Sequence, residues 1–187
     1  GVQILRLTRD RALRRCLADV VVQLVALQDE DGYLGPWKRA DRLTGRAANS
    51  RGGSTWDAWG HYHAMLGLLL WHEATRDADA LTCARRIGDL LCDRFLGKKR
   101  RGQRLVDTGS TEMNLAPVHG LALLYRRTKD PRHLGLAEQI VDEFPAVGRD
   151  GAPLAGDYVR TGLDRVPFHE TPKPRWESLH PMQGMLE

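Results

Sequence analysis

Residues 56–95 read WDAWGHYHAMLGLLLWHEATRDADALTCARRIGDLLCDRF, and this stretch decides the fold. Its first half, as far as Trp71, carries Met65, Leu66, Leu68, Leu69 and Leu70 with no polar stripe, the pattern of a helix covered on every side. The second half, Ala78 to Phe95, alternates Leu81, Ala84, Ile87, Leu90 and Leu91 with Arg85, Arg86, Asp89 and Asp93, which reads as a helix with one face in water. Slid along itself by 53 residues, the chain pairs Gly67 with Gly120, Leu68 with Leu121, Leu70 with Leu123, Thr75 with Thr128 and Asp77 with Asp130. In the second helix Leu81 meets Leu134, Ala84 meets Ala137, Ile87 meets Ile140 and Asp89 meets Asp142. A fixed-period match argues for a repeated unit, here an inner apolar helix, a Thr-x-Asp turn and an outer amphipathic helix.

Working outward, Leu13, Leu17, Val20, Val21, Leu24 and Leu27 recur at helical spacing, which predicts one helix from Thr8 to Gln28. The turn signal Asp29-Glu30-Asp31-Gly32 stops it, and Tyr33 to Trp37 leads into a polar surface loop over residues 38–53. Ser54 or Thr55 is positioned to cap the first inner helix, with Asp57 in its first turn. The run Asp107 to Asn114 leads into a second inner helix ending near Tyr125, and Pro131 to Phe144 is its outer partner. After a loop broken by Gly and Pro, His180-Pro-Met-Gln-Gly-Met-Leu186 pairs Gly184 with Gly120, which predicts the opening of a third inner helix. Alternating inner and outer helices describe an all-α toroid, with residues 1–187 read as the N-terminal segment of a single barrel domain, truncated before closure.

Composition narrows the function. With 42% hydrophobic residues the chain can bury a core, and a net charge of +4 spread over helix faces gives no footprint for nucleic acid. Cys16, Cys83 and Cys92 form no CxxC pair and no metal-spaced run; Cys83 and Cys92 sit among Ala, Ile and Leu as buried thiols. The odd cysteine count leans toward a reducing, cytoplasmic compartment. No apolar run approaches the length of a membrane span.

Chemistry-bearing residues collect ahead of each inner helix. They are Trp56, Asp57, Trp59, His61 and His63, then Ser110, Thr111, Glu112 and Asn114, then His169, Glu170, Arg175, Trp176, Glu177 and His180. The repeat sends these ends to one mouth. Aromatic planes with carboxylates, amides and imidazoles suit sugar recognition, and glycoside hydrolysis requires two carboxyls across the bond, for which Asp57, Glu112, Glu170 and Glu177 are available. The substrate-binding set is Trp56, Asp57, His61, Glu112, Asn114, Glu177 and His180. Plainer roles stand beside it: Asp57 and His61 as a local helix pair, Glu112 as a first-turn charge, Glu177 with His180 as half of a carboxylate metal site whose other half is missing.

Leu27-Gln28 with Asp31-Gly32-Tyr33-Leu34, Gly60-His61-Tyr62, and Thr108-Gly-Ser-Thr-Glu-Met-Asn-Leu115 resemble the β-L-arabinofuranosidase family, glycoside hydrolase family 127. The resemblance implies an (α/α)6 barrel and a retaining glycosidase, with a zinc-bound cysteine as nucleophile and a glutamate as acid/base. Both catalytic groups are expected beyond residue 187, so none is assigned to Cys16, Cys83 or Cys92, and zinc is expected only in the full-length enzyme. Where the family places sugar-contacting histidines this chain carries Trp56, Ser110 and Pro174, which marks a divergent member. The expectation is a carbohydrate-active hydrolase with a sugar substrate, no nucleic-acid or membrane partner, and the remainder of its own barrel as structural partner. The segment alone is expected to be inactive. A sugar isomerase or epimerase on an α/α barrel and a non-catalytic helical-repeat binding module are the alternatives.

Overall fold

The computed structural model describes residues 1–47, 55–97, 103–155, 164–170 and 179–187, with the side chains of Glu112 and Phe168 excepted. Its recurring feature is the turn that joins inner to outer helix. Helix α3 (Asp57–Thr75) ends where Thr75 Oγ1 donates to the Trp71 carbonyl at 2.8 Å and accepts from the Asp77 N–H at 3.3 Å. Arg76 swings the backbone through the left-handed region at φ 64°, and Asp77 then caps α4 (Ala78–Phe95) by accepting from the Asp79 and Ala80 N–H groups at 3.0 and 3.1 Å. The next hairpin, α6 (Pro117–Thr128) into α7 (Pro131–Glu143), repeats this. Thr128 Oγ1 donates to the Leu124 carbonyl at 3.0 Å, Lys129 has φ 59°, and Asp130 accepts from the Arg132 N–H at 2.9 Å.

The same turn occurs a third time, earlier in the chain. Thr8 Oγ1 donates to the Ile4 carbonyl at 3.0 Å, Arg9 has φ 53°, and Asp10 accepts from the Leu13 N–H at 2.8 Å. The single helix expected from Thr8 to Gln28 is therefore two elements, α1 (Val2–Thr8) and α2 (Arg11–Leu27), which form a hairpin of their own. A positive φ on a non-glycine residue is unfavourable, and three capped turns each hold one in place.

The inner helices α1, α3, α6 and α8 (Leu179–Leu186) pack in sequence, α1 on α3, α3 on α6 and α6 on α8, while the outer helices run α2 on α4 on α7. The chain is an arc of an α/α toroid. The apolar inner helix is not covered on every side as expected: α3 buries one broad face, Asp57, Ala58, His61, Tyr62, Met65, Leu68, Leu69 and Trp71, and leaves Gly60, His63 and Gly67 exposed on the other. Likewise α4 buries one stripe, Ala80, Cys83, Ala84, Ile87, Gly88, Leu91, Cys92 and Phe95. Repeat partners are buried alike, Leu68 with Leu121 and Ile87 with Ile140 all at 0% exposure. Each such side chain contributes roughly 1.5–3 kcal/mol. Gly184 brings α8 in close: a Cβ there would stand 2.6 Å from the His119 backbone nitrogen, so only glycine lets the two inner helices meet at this point.

Local details differ from expectation. Of the two predicted caps for α3, Ser54 lies outside the described residues, while Thr55 is buried with its hydroxyl unpartnered and Trp56 stands at the helix start. The second inner helix is broken. A short helix α5 (Thr111–Asn114) is separated from α6 by Leu115 and Ala116, and Pro117, which has no N–H to offer, opens α6. Two short 3-10 turns, Leu105–Thr108 and Phe168–Glu170, lie in the connections. Val147 and Pro153 form an isolated antiparallel bridge.

Candidate functional site

Inner helices α3 and α6 run from a common end toward the Thr-x-Asp turns, so their N-terminal turns lie opposite those turns. There the fully buried Tyr62, one turn into α3, places its hydroxyl 2.9 Å from Nδ1 of His119 in the first turn of α6 and 2.8 Å from Nδ1 of His180 in the first turn of α8. Three helices are thus joined at one oxygen. Around it the rings stack edge to face: Trp59 to His180 at 5.1 Å, Trp59 to His63 at 4.3 Å and His63 to His180 at 5.5 Å between centroids. Burial holds the His119 pKa below the usual imidazole range, with His180 beside it adding to the effect and Glu187 opposing it. Desolvation against its neighbours, then His180, lowers His63 in the same direction. Burial raises the Tyr62 phenol, which stays protonated as a donor.

A second polar network lies beneath this cluster. The Asp57 carboxylate, 5% exposed, accepts from the Tyr33 hydroxyl at 3.1 Å and from the Leu43 N–H at 2.8 Å. His61 Nε2 accepts from the Leu34 N–H at 3.1 Å, which leaves its proton on Nδ1 to be donated to the Asp57 carbonyl at 2.8 Å. The segment around Tyr33, Leu34 and Leu43 is thereby tied onto the start of α3. Arg42 closes it from outside, its guanidinium 4.0 Å from the Tyr33 ring and paired with Asp29 and Asp31. Burial and the Asp57 charge push the Tyr33 phenol well above its ordinary pKa. On the other side Asn114, 1% exposed, accepts from the Trp59 N–H at 3.4 Å and donates to Thr108 Oγ1 at 3.1 Å and to the Gly109 carbonyl at 2.7 Å.

The predicted residues therefore separate into layers. His180 belongs to the ring cluster itself, and Trp56 stands exposed at the start of α3. Asp57, His61 and Asn114 are engaged with the backbone of neighbouring segments and support the cluster from below. Glu112 lies on α5 beside Asn114, and Glu177 is outside the described residues. Glu170 is exposed on a 3-10 turn, 3.5 Å from His169. Sequence reasoning missed Tyr62 and His119. Their signal was in the repeat: at the shift of 53, Tyr62 falls on Leu115 and His119 on Leu66, so each puts a polar ring where the other unit has leucine.

The thiols do not fit a zinc-bound nucleophile. Cys16 is exposed on α2, while burial pushes the Cys83 thiol up to about 11 and the Cys92 thiol up to about 12, the opposite of thiolate activation. Among the described residues Asp89, Asp130 and His133 have metal-like spacing on the outer layer, but Arg132 pairs with both carboxylates, which supplies the countercharge there.

An arc of paired inner and outer helices is the architecture of a partial α/α barrel. A family model described as the β-L-arabinofuranosidase, GH127 catalytic domain, matches residues 3–168, and the chain belongs to that family. A search of the curated proteins found no match. The family assignment implies glycosidase activity in its full-length proteins. Among the described residues no helix is long and apolar enough to cross a membrane.

Proposed function

We propose that this chain forms one wall of the sugar pocket of a β-L-arabinofuranosidase-like glycosidase, with Trp56, Trp59, His63, His119 and His180 as the sugar-facing set. The observation that carries this reading is the junction at Tyr62, where the leading turns of three inner helices meet around one hydroxyl. Trp59 supplies an apolar plane of the kind that stacks on a sugar ring, and the imidazoles beside it suit hydrogen bonding to sugar hydroxyls. Asp57, His61 and Asn114 act one layer down by holding residues 28–47 and 108–114 against the cluster. Glu112, on α5, is included in the proposed pocket set as a candidate from the sequence. The nucleophile and acid/base are assigned to the rest of the barrel, as the rest of the domain also is the structural partner. Zinc chemistry, where the full enzyme uses it, is not supplied by Cys16, Cys83 or Cys92.

Calorimetric titration of the protein with methyl β-L-arabinofuranoside tests the reading. Saturable binding is expected, and His180→Ala weakens it by about tenfold, the equivalent of one well-placed hydrogen bond. Binding that His180→Ala leaves unchanged would remove the cluster from the pocket. In the complete enzyme Glu112→Ala is expected to lower kcat/KM with little change in Tm.

A further inference from the structure

The three hairpin turns share more than their caps. Between Thr and Asp stands a long cation each time, Arg9, Arg76 and Lys129, exposed and held at φ 53°, 64° and 59°. Glycine is the usual residue at this position after a helix, because a side chain is strained there. A cation gains from the dipole at a helix C-terminus, but at an exposed site that gain is no larger than the strain. The helix ends alone therefore do not account for a cation in all three turns.

The charges are not used up within the protein either. Among the described residues Arg9, Arg76 and Lys129 form no ion pair, and Lys129 lies over the Tyr125 ring at 5.5 Å. Of the carboxylates at this end, Asp10, Asp77 and Asp130 are taken up by capping, and Glu73 is held by Arg6 at 3.0 Å and Arg127 at 3.3 Å. Asp79 is exposed in the first turn of α4. Because α1 packs on α3 and α3 on α6, the three tips follow one another at the spacing of packed helices, about 8–10 Å. We propose that this row is a docking surface for an anionic carbohydrate polymer, a uronate chain, at the end of the arc opposite the ring cluster.

A uronate polymer carries one carboxylate on every sugar, so its charges recur along the chain as the cations recur along the arc. The guanidinium groups of Arg9 and Arg76 offer the two parallel N–H donors that a carboxylate accepts. A single-stranded nucleic acid calls instead for exposed aromatic platforms between the cations. Trp71 at this end is buried, and both it and His72 are engaged by Asp77. A polymer-holding surface suits a chain of a carbohydrate-enzyme family, and at the turn end it leaves the leading ends of the inner helices free. It does not depend on the sugar pocket proposed there.

The test is calorimetric binding of the protein to polygalacturonate at low and raised salt, beside a neutral galactan, a single-stranded oligonucleotide and phosphatidylserine vesicles. Binding of polygalacturonate that weakens with salt is expected, with none of the galactan. Arg9→Gly, Arg76→Gly and Lys129→Gly together should weaken it by about tenfold and leave Tm unchanged or higher, since glycine is unstrained at positive φ. Removing the same charge at the opposite end, with Lys38→Gln, Arg39→Gln and Arg94→Gln, should leave binding nearly unchanged. A wild type that does not bind polygalacturonate would overturn the docking surface, and this arm needs no variant to fold. Equal losses in the two triple variants would overturn it as well, by reducing the effect to net charge. Tighter binding of the oligonucleotide or the vesicles would overturn the choice of a uronate chain. Retained binding with a lowered Tm in the glycine variant would return the three cations to the helix ends alone.

Discussion

The two ends of the inner helices follow different rules. At the turn end, three hairpins repeat one device, and every bond in it joins residues within six positions of each other. Even Trp71 and His72 are used there, the indole donating to Asp77 Oδ2 at 3.0 Å and His72 Nδ1 to the Asp77 carbonyl at 2.7 Å. At the opposite end no such device repeats. Tyr62 reaches His180 across 118 positions, His61 reaches Leu34 across 27, and Trp59 reaches Asn114 across 55. The turn end is a structural module copied from unit to unit. The other end is assembled once, from residues unique to each unit, which is the pattern of a site.

The sharpest break in this comparison comes from Asp57. Replacing it with alanine strips acceptors from the buried Tyr33 hydroxyl and Leu43 N–H, and should cost roughly 3 kcal/mol in urea unfolding. A loss under about 1 kcal/mol would mean that the loop is not held as described.

Repeat-equivalent glycines sharpen it next. Gly184→Ala drives a methyl into the His119 backbone and should cost about 2 kcal/mol, displacing His180 from Tyr62. At Gly67, the matching position in α3, an added Cβ meets nothing within 4 Å, so Gly67→Ala should stabilise by about 1 kcal/mol. Thermal melts of the two variants therefore move in opposite directions, and equal shifts would contradict the packing of α8 on α6.

At the turn end the effect is smaller and depends on pH. Hydrogen bonds from the Arg132 side chain and backbone lower the Asp130 carboxyl to about 2 from 3.8. Because the folded value is the depressed one, its stabilisation is complete above pH 3.8 and is lost as pH falls through about 2. Asp130→Ala should cost about 1 kcal/mol at neutral pH and progressively less in acid. A cost that grows on acidification would reverse the assignment.

The same contrast explains what the sequence disclosed. Inner and outer roles, the Thr-x-Asp turns at 75–77 and 128–130, and the start of a third inner helix were readable because helical periodicity and local caps are written in nearby residues. The family was readable for the same reason, from short runs such as Gln28 to Leu34 and Thr108 to Leu115. The first hairpin escaped because Thr8-Arg9-Asp10 falls outside the shift of 53, although it repeats Thr75-Arg76-Asp77 letter for letter. Convergence at one end was inferable from the repeat, but the division between supporting Asp57, His61 and Asn114 and the rings above them was not. It depends on contacts with Tyr33, Leu34, Leu43 and Thr108, whose distance along the chain leaves no periodic trace.

The most direct test is to follow the indole N–H resonances of Trp59 and Trp71 while methyl β-L-arabinofuranoside is added. They occupy opposite ends of one helix, α3. A saturable shift at Trp59 with Trp71 unmoved is the predicted result. No shift at Trp59, or an equal one at Trp71, would contradict a sugar pocket at the leading end of the inner helices.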